Sequence, residues 1–134
     1  MRILVDTGVF SASISRRRRA RFESHVAVMA GNQAFLAAVT VAELRYGALV
    51  AEWGEQRRRR LEQSIAATTV VPVSDALLTT AAELRHACRQ VGHALHGPVH
   101  ANDLWIAASA VHIGAPLLTA DAVFDDVPRL DLHR

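Results

Sequence analysis

Lysine is missing altogether: every one of the fifteen Lys/Arg positions in this 134-residue chain is arginine. Chemistry that needs an ε-amino group is therefore excluded, including a P-loop lysine, a Schiff-base lysine and a lysine that steadies an acyl phosphate. Cysteine is nearly missing too. Cys88 stands alone, so no internal disulfide can form, and a reducing cytoplasm is the expected compartment. Aromatic residues are only 5% of the chain while hydrophobic residues reach 51%, so the core must be built mainly from Ala, Val, Leu and Ile. Two stretches lack Arg, Asp and Glu, residues 24–42 and 104–120, but Gly31-Asn32-Gln33 breaks the first and Gly114 with Pro116 breaks the second. Neither reads as a membrane span. No secretory leader is expected either, because the apolar run Ile3-Leu4-Val5 is cut at once by Asp6.

What is present fits a single α/β domain over 1–134. Short apolar runs at 2–6, 34–39, 69–73 and 116–119 read as buried strands, with a weaker fifth at 130–132. Between them, residues 40–52, 55–67, 75–91 and 102–113 carry apolar residues three and four apart, as helices do. Strands alternating with helices indicate a parallel sheet. On that map Asp6 closes the first strand, Glu43 lies in the first turn of the helix after the second, and Asp121 follows the strand at 116–119. Open parallel sheets gather ligands beyond the carboxyl ends of their strands, so three acids from distant parts of the chain are delivered to one edge. Asp103 joins them if its helix starts there.

Each acid also has an ordinary explanation. Thr40-Val41-Ala42-Glu43 has the form of a capping box. Asn102-Asp103 suits a helix start, Asp6-Thr7-Gly8 a turn with an N-cap, and Asp121 an Asx turn. Asp75, after Val70 to Val73, is read as a plain N-cap, and spacing alone does not separate it from the other four.

The local sequences do separate it. Val5-Asp6-Thr7, Thr40-Val41-Ala42-Glu43-Leu44-Arg45-Tyr46-Gly47, Ala101-Asn102-Asp103-Leu104-Trp105-Ile106-Ala107-Ala108 and Leu117-Leu118-Thr119-Ala120-Asp121-Ala122-Val123-Phe124 together resemble the PIN-domain family, and most nearly its VapC-type toxins from bacterial toxin–antitoxin pairs. The resemblance runs from Ile3 to about Leu130. It implies a three-layer α/β/α sandwich with a parallel sheet and a catalytic quartet of Asp6, Glu43, Asp103 and Asp121. Metal ligation by Asp6, Asp103 and Asp121 is implied, with Glu43 orienting or deprotonating the attacking water and Thr7, Asn102 and Thr119 in support. Gly8 departs from the family, which often has Ser there. Asp125 reads as an exposed turn residue rather than an accessory acid.

Hydrolysis of a phosphodiester needs an activated water and stabilised phosphoryl charge, both within the reach of Mg²⁺ or Mn²⁺. Such ions prefer oxygen ligands and keep several waters, which suits loosely spaced carboxylates. Two carboxylates about 4 Å apart repel by about 4 kcal/mol at an effective dielectric near 20, and a divalent ion relieves that repulsion. With that chemistry, the resemblance implies a metal-dependent endoribonuclease toxin acting on RNA and restrained by a VapB-like antitoxin, and an exposed apolar patch on so small a domain would support a homodimer. A PIN-type RNA-processing nuclease without antitoxin and an inactive RNA-binding PIN domain are the alternatives. A phosphoacceptor module would need the absent lysine, and a haloacid-dehalogenase-like phosphatase would need a second Asp at position 8.

Two arginine runs, Arg16–Arg19 with Arg21 and Arg57–Arg60, remain open between phosphate contacts and solvated helix faces. His86, Cys88, His93, His96 and His100 have zinc-ligand types without a standard spacing, and read instead as a helix followed by a loop beside the acids.

Overall fold

The computed structural model describes residues 1–133. Four parallel strands, β1 (Arg2–Val5), β2 (Gln33–Ala37), β3 (Thr69–Val71) and β4 (Leu117–Leu118), form one sheet in the order β3-β2-β1-β4. Registry aligns Ile3 with Ala34, Phe35 with Thr69 and Val5 with Leu118. The helices are α1 (Thr7–Ser13), α2 (Arg16–Arg19), α3 (Glu23–Ala30), α4 (Ala38–Val50), α5 (Glu55–Ala66), α6 (Asp75–Val91) and α7 (Ala101–Ile113). Short 3-10 turns lie at Ala20–Phe22, Ala94–His96, Pro98–His100 and Ala122–Phe124.

Strand side chains alternate between faces, and that alternation builds the layers. Leu4, Ala37 and Leu117 point into a core with Leu77 and Leu84 of α6 and Ile106 and Ala110 of α7. Their neighbours Ile3, Val5, Leu36 and Leu118 point the other way, onto Val9 and Phe10 of α1, Leu44 of α4 and Leu61 and Ile65 of α5. The result is the expected three-layer sandwich around a parallel sheet.

The boundaries differ from expectation in instructive places. β3 stops at Val71 because Pro72 has no N–H to give the ladder. The fifth strand shrinks to one bridge, Leu117 to Leu132, where the Leu117 N–H reaches the Asp131 carbonyl at 2.8 Å. Helix α4 begins two residues early, with Ala37 as N-cap, so Thr40 and Glu43 form no capping box and Glu43 sits in the second turn rather than the first. Asp75 is not the cap of α6. Ser74 is, its hydroxyl accepting from the Leu77 N–H at 3.1 Å. The short helices α2 and α3 fill what the apolar spacing left blank.

From β1 the chain moves outward to β2 and β3, then returns across the sheet to β4 on the other side of β1. The crevice beyond the carboxyl ends of β1 and β4 is therefore the topological switch point, where such sheets bind ligands. No helix among the described residues is long and apolar enough to cross a membrane.

Candidate active site

Asp6 follows β1 immediately and Thr119 follows β4, so parallel pairing of the two strands sets the residues side by side. The Thr119 hydroxyl donates to Asp6 Oδ2 at 2.7 Å, while the Asp6 N–H continues the ladder to the Leu118 carbonyl. Asp6 is also the N-cap of α1, yet its side chain is not spent on capping. It is 8% exposed. Burial pushes its carboxyl up from an ordinary 3.8 to about 6, and the negative charges of Asp103 and Asp121 add to the rise. Hydrogen bonds from the Thr119 hydroxyl and the Thr7 N–H pull the other way. The carboxyl thus lies in a dry, negatively charged spot, and no cationic side chain among the described residues pairs with it.

The other three acids reach the same place from separate elements. A cavity of about 380 Å³ is lined by Asp6, Glu43, Asp103 and Asp121, with Thr7, Gly8 and Phe22 among its other walls. Glu43 projects from α4, held by the Thr7 hydroxyl, which lies 3.0 Å from both Glu43 Oε1 and the Oγ1 of buried Thr40. Asp103 sits in the first turn of α7, half-buried, with His100 Nδ1 3.1 Å from its Oδ2. Asp121 is exposed, and its Oδ1 accepts from the Val123 N–H at 2.9 Å, the Asx turn that its position allows. The Asp121 N–H in turn donates to Thr119 Oγ1.

Asn102 stands apart. It is exposed on α7 and does not line the cavity. Gly8 does line it, and a Cβ added there meets nothing within 4 Å, so the pocket has room for the serine that the family often carries. The sequence marks Thr40 only as a helix cap and does not mark Phe22 at all. Thr40 had a signal: three residues before Glu43 within one helix, it must share that residue's face. Phe22 had none, because only the turn at Ala20–Phe22 carries it to the cavity.

Zinc chemistry finds no support in the histidine cluster. Cys88 is buried in the core. His93 Nδ1 accepts from the Leu95 N–H, so Nε2 carries the proton it gives to the Asp125 carbonyl. His96 Nδ1 is engaged by the His93 carbonyl.

Among the described residues, no three His, Cys, Asp or Glu side chains stand close enough to grip one ion together as they are placed. The donor set nonetheless fits a hard divalent cation. It consists of carboxylate oxygens, one of them buried and uncompensated, and Mg²⁺ commonly takes only one or two protein carboxylates while keeping its waters.

A parallel α/β sandwich with four carboxylates around its switch point defines a class of acidic-site domains. The chain belongs to the PIN domain family, whose model matches residues 3–130. It is 36% identical over 132 residues to Ribonuclease VapC5 of Mycobacterium tuberculosis (strain ATCC 25618 / H37Rv), covering 96% of this chain and 87% of that one. Among solved structures it is similar in fold to VapBC2 from Rickettsia felis bound to a DNA fragment from their promoter. There the TM-score is 0.80 at 24% identity, over 99% of this chain and 98% of that chain. It is also similar to FitAcB from Neisseria gonorrhoeae, with a TM-score of 0.79 at 24% identity, over 98% and 96% of the two chains.

Proposed function

We propose that this protein is a divalent-metal-dependent endoribonuclease, the toxin of a VapBC-type toxin–antitoxin pair. The observation that carries the reading is the cavity itself: carboxylates following β1 and β4, from α4 and from α7, line one pocket, and the first of them, Asp6, is buried with its pKa raised to about 6. Kinship with a protein named a ribonuclease supports RNA as substrate. Asp6 and Asp103 are assigned to hold Mg²⁺ or Mn²⁺, with Asp121 reaching it directly or through one of its waters; the ion when bound would polarise the phosphodiester and lower the pKa of a coordinated water.

The chain's own residues supply the positioning. Thr119 keeps Asp6 oriented and favours its ionised form. Thr7 holds the Glu43 carboxylate toward the cavity, where it is assigned to orient the attacking water or accept its proton. Hydrolysis then adds that water at phosphorus, breaks one P–O bond, and leaves the departing oxygen protonated. Asn102, exposed outside the cavity, is assigned at most contact with bound RNA.

Two partners complete the proposal. Similarity in fold to toxin–antitoxin assemblies supports a VapB-like antitoxin. A homodimer is supported by α4, which leaves Tyr46, Leu49 and Val50 on one face at 68%, 61% and 65% exposure, an apolar strip of the kind that subunits bury.

The test is incubation of purified protein with total cellular RNA, in Mg²⁺ and in EDTA, with the cleaved ends mapped. Cleavage at defined sites in Mg²⁺, absent in EDTA and in the folded Asp103→Asn variant, is expected. Equal cleavage by Asp103→Asn would remove the assignment. Growth arrest on expression, cured by a co-expressed neighbouring antitoxin, would establish the toxin role.

A further inference from the structure

The two arginine runs, which the carboxylate chemistry leaves unused, meet on the surface. A groove of about 490 Å³ adjoins the carboxylate cavity, and Thr7 and Glu43 line both. Arg17 and Arg18 of α2 flank it, and it reaches Trp53 and Arg57. A second depression of about 450 Å³ continues it, sharing Arg17, Trp53 and Arg57 and adding Arg16 and Arg60. Five guanidiniums from segments far apart in the chain therefore edge one channel that begins at the acids.

Helical periodicity divides the run on α5. Arg57 and Arg60, three apart, share a face and turn to the channel. Arg58 and Arg59 turn to another depression, beside Glu55, Glu62 and Arg45. Two carboxylates offset charge there, Glu55 with Arg59 at 3.0 Å and Glu62 with Arg45 at 2.7 Å, so two of the three arginines lining that depression are paired. Among the described residues, no carboxylate pairs with the five channel arginines. One of the five is held in place: the Arg57 guanidinium lies 4.0 Å from the centre of the Trp53 ring.

We propose that this channel carries the phosphates of the RNA strand flanking the scissile bond, an assignment that rests on the ribonuclease reading above. A phosphodiester seated among carboxylates must lead its neighbouring phosphates out of a negatively charged cavity. A row of unbalanced guanidiniums starting at the mouth compensates that repulsion, and their planar forks match phosphate oxygens. Uncompensated positive charge in a row fits a polyanion better than a protein tail.

The experiment compares Arg57→Gln/Arg60→Gln with Arg58→Gln/Arg59→Gln, two pairs of exposed residues on one helix. Binding of a fluorescein-labelled 20-nucleotide poly(U) RNA is followed by anisotropy in EDTA over a range of NaCl concentrations, so no cleavage is required. Loss of two phosphate contacts should flatten the slope of log K against log salt by about 1.4 and weaken binding roughly tenfold near 0.1 M salt. The Arg58/Arg59 variant should keep the wild-type slope. Equal slopes for the two variants overturn the channel. So does unchanged RNA binding by the Arg57/Arg60 variant together with loss of its complex with a co-expressed antitoxin, which would reassign the groove to protein. Failure of the ribonuclease reading shows separately, as wild-type protein that does not cleave total RNA in Mg²⁺.

Discussion

At Asp6 the environment opposes the charge that the proposed chemistry needs. Below pH 3.8 the folded and unfolded chains both hold the proton, and between there and about 6 only the folded chain does. Stability therefore falls as pH rises through that window, and the full penalty, at most about 3 kcal/mol for a carboxyl raised from 3.8 to about 6, stands above it. Asp6→Asn should remove the penalty: in EDTA at neutral pH the variant is expected to melt at a higher temperature than wild type, and thermal melts from pH 4 to 8 should show its curve flat where the wild type declines. A wild-type curve without that decline would contradict the buried-charge account. Mg²⁺ should raise the melting temperature of wild type, by binding only the folded state, and leave Asp6→Asn much less affected. Thr119 makes a second test at this scale. A hydrogen bond to a charged group contributes about 1.5–3 kcal/mol, so Thr119→Val should raise the Asp6 pKa further and move the acid limb of the kcat/KM profile upward by about one pH unit. Thr119→Ser, which restores a hydroxyl, should bring the limb back.

Among the elements, helix starts were the least legible feature. Thr40 to Glu43 has a capping-box pattern, but the helix begins at Ala38. Thr40, buried completely, turns its hydroxyl to Thr7 instead. A threonine hydroxyl satisfies a backbone N–H or a neighbouring side chain equally well, and the local sequence does not say which. At α6 the misreading was by one residue, and it is measurable. Ser74→Ala should cost about 1 kcal/mol in chemical denaturation, while Asp75→Ala, exposed in the first turn, should cost clearly less. Equal losses would mean that the Ser74 cap is not what secures this helix. The strands were more legible: β1, β2 and β4 read as continuous apolar runs because both faces of the sheet are buried, and only their ends moved. Helices α2 and α3 escaped notice because α2 buries nothing and α3 buries only Val26, leaving no apolar period to read.

Over the whole molecule, the acids and the arginines occupy neighbouring territories, and the apolar strip of α4 lies on a further face. If Tyr46, Leu49 and Val50 form the proposed dimer seam, Leu49→Glu should shift the sedimentation coefficient from dimer to monomer while far-UV circular dichroism stays unchanged. A wild-type protein that sediments as a monomer would remove the dimer from the proposal. The class of fold, the order of β1 to β4 with helices α4 to α7, and the four acidic motifs with their family resemblance were all determined by the sequence alone, because apolar runs and helical spacing are written locally. Tertiary structure alone decided that the four carboxylates share one cavity, that Asp6 is desolvated within it, that Asn102 lies outside, and that Arg57 and Arg60 face a groove while Arg58 and Arg59 turn to a depression that holds Glu55 and Glu62. Desolvation, proximity and charge balance depend on neighbours dozens of residues away in the chain, and those neighbours exist only once the sheet has brought its strand ends together.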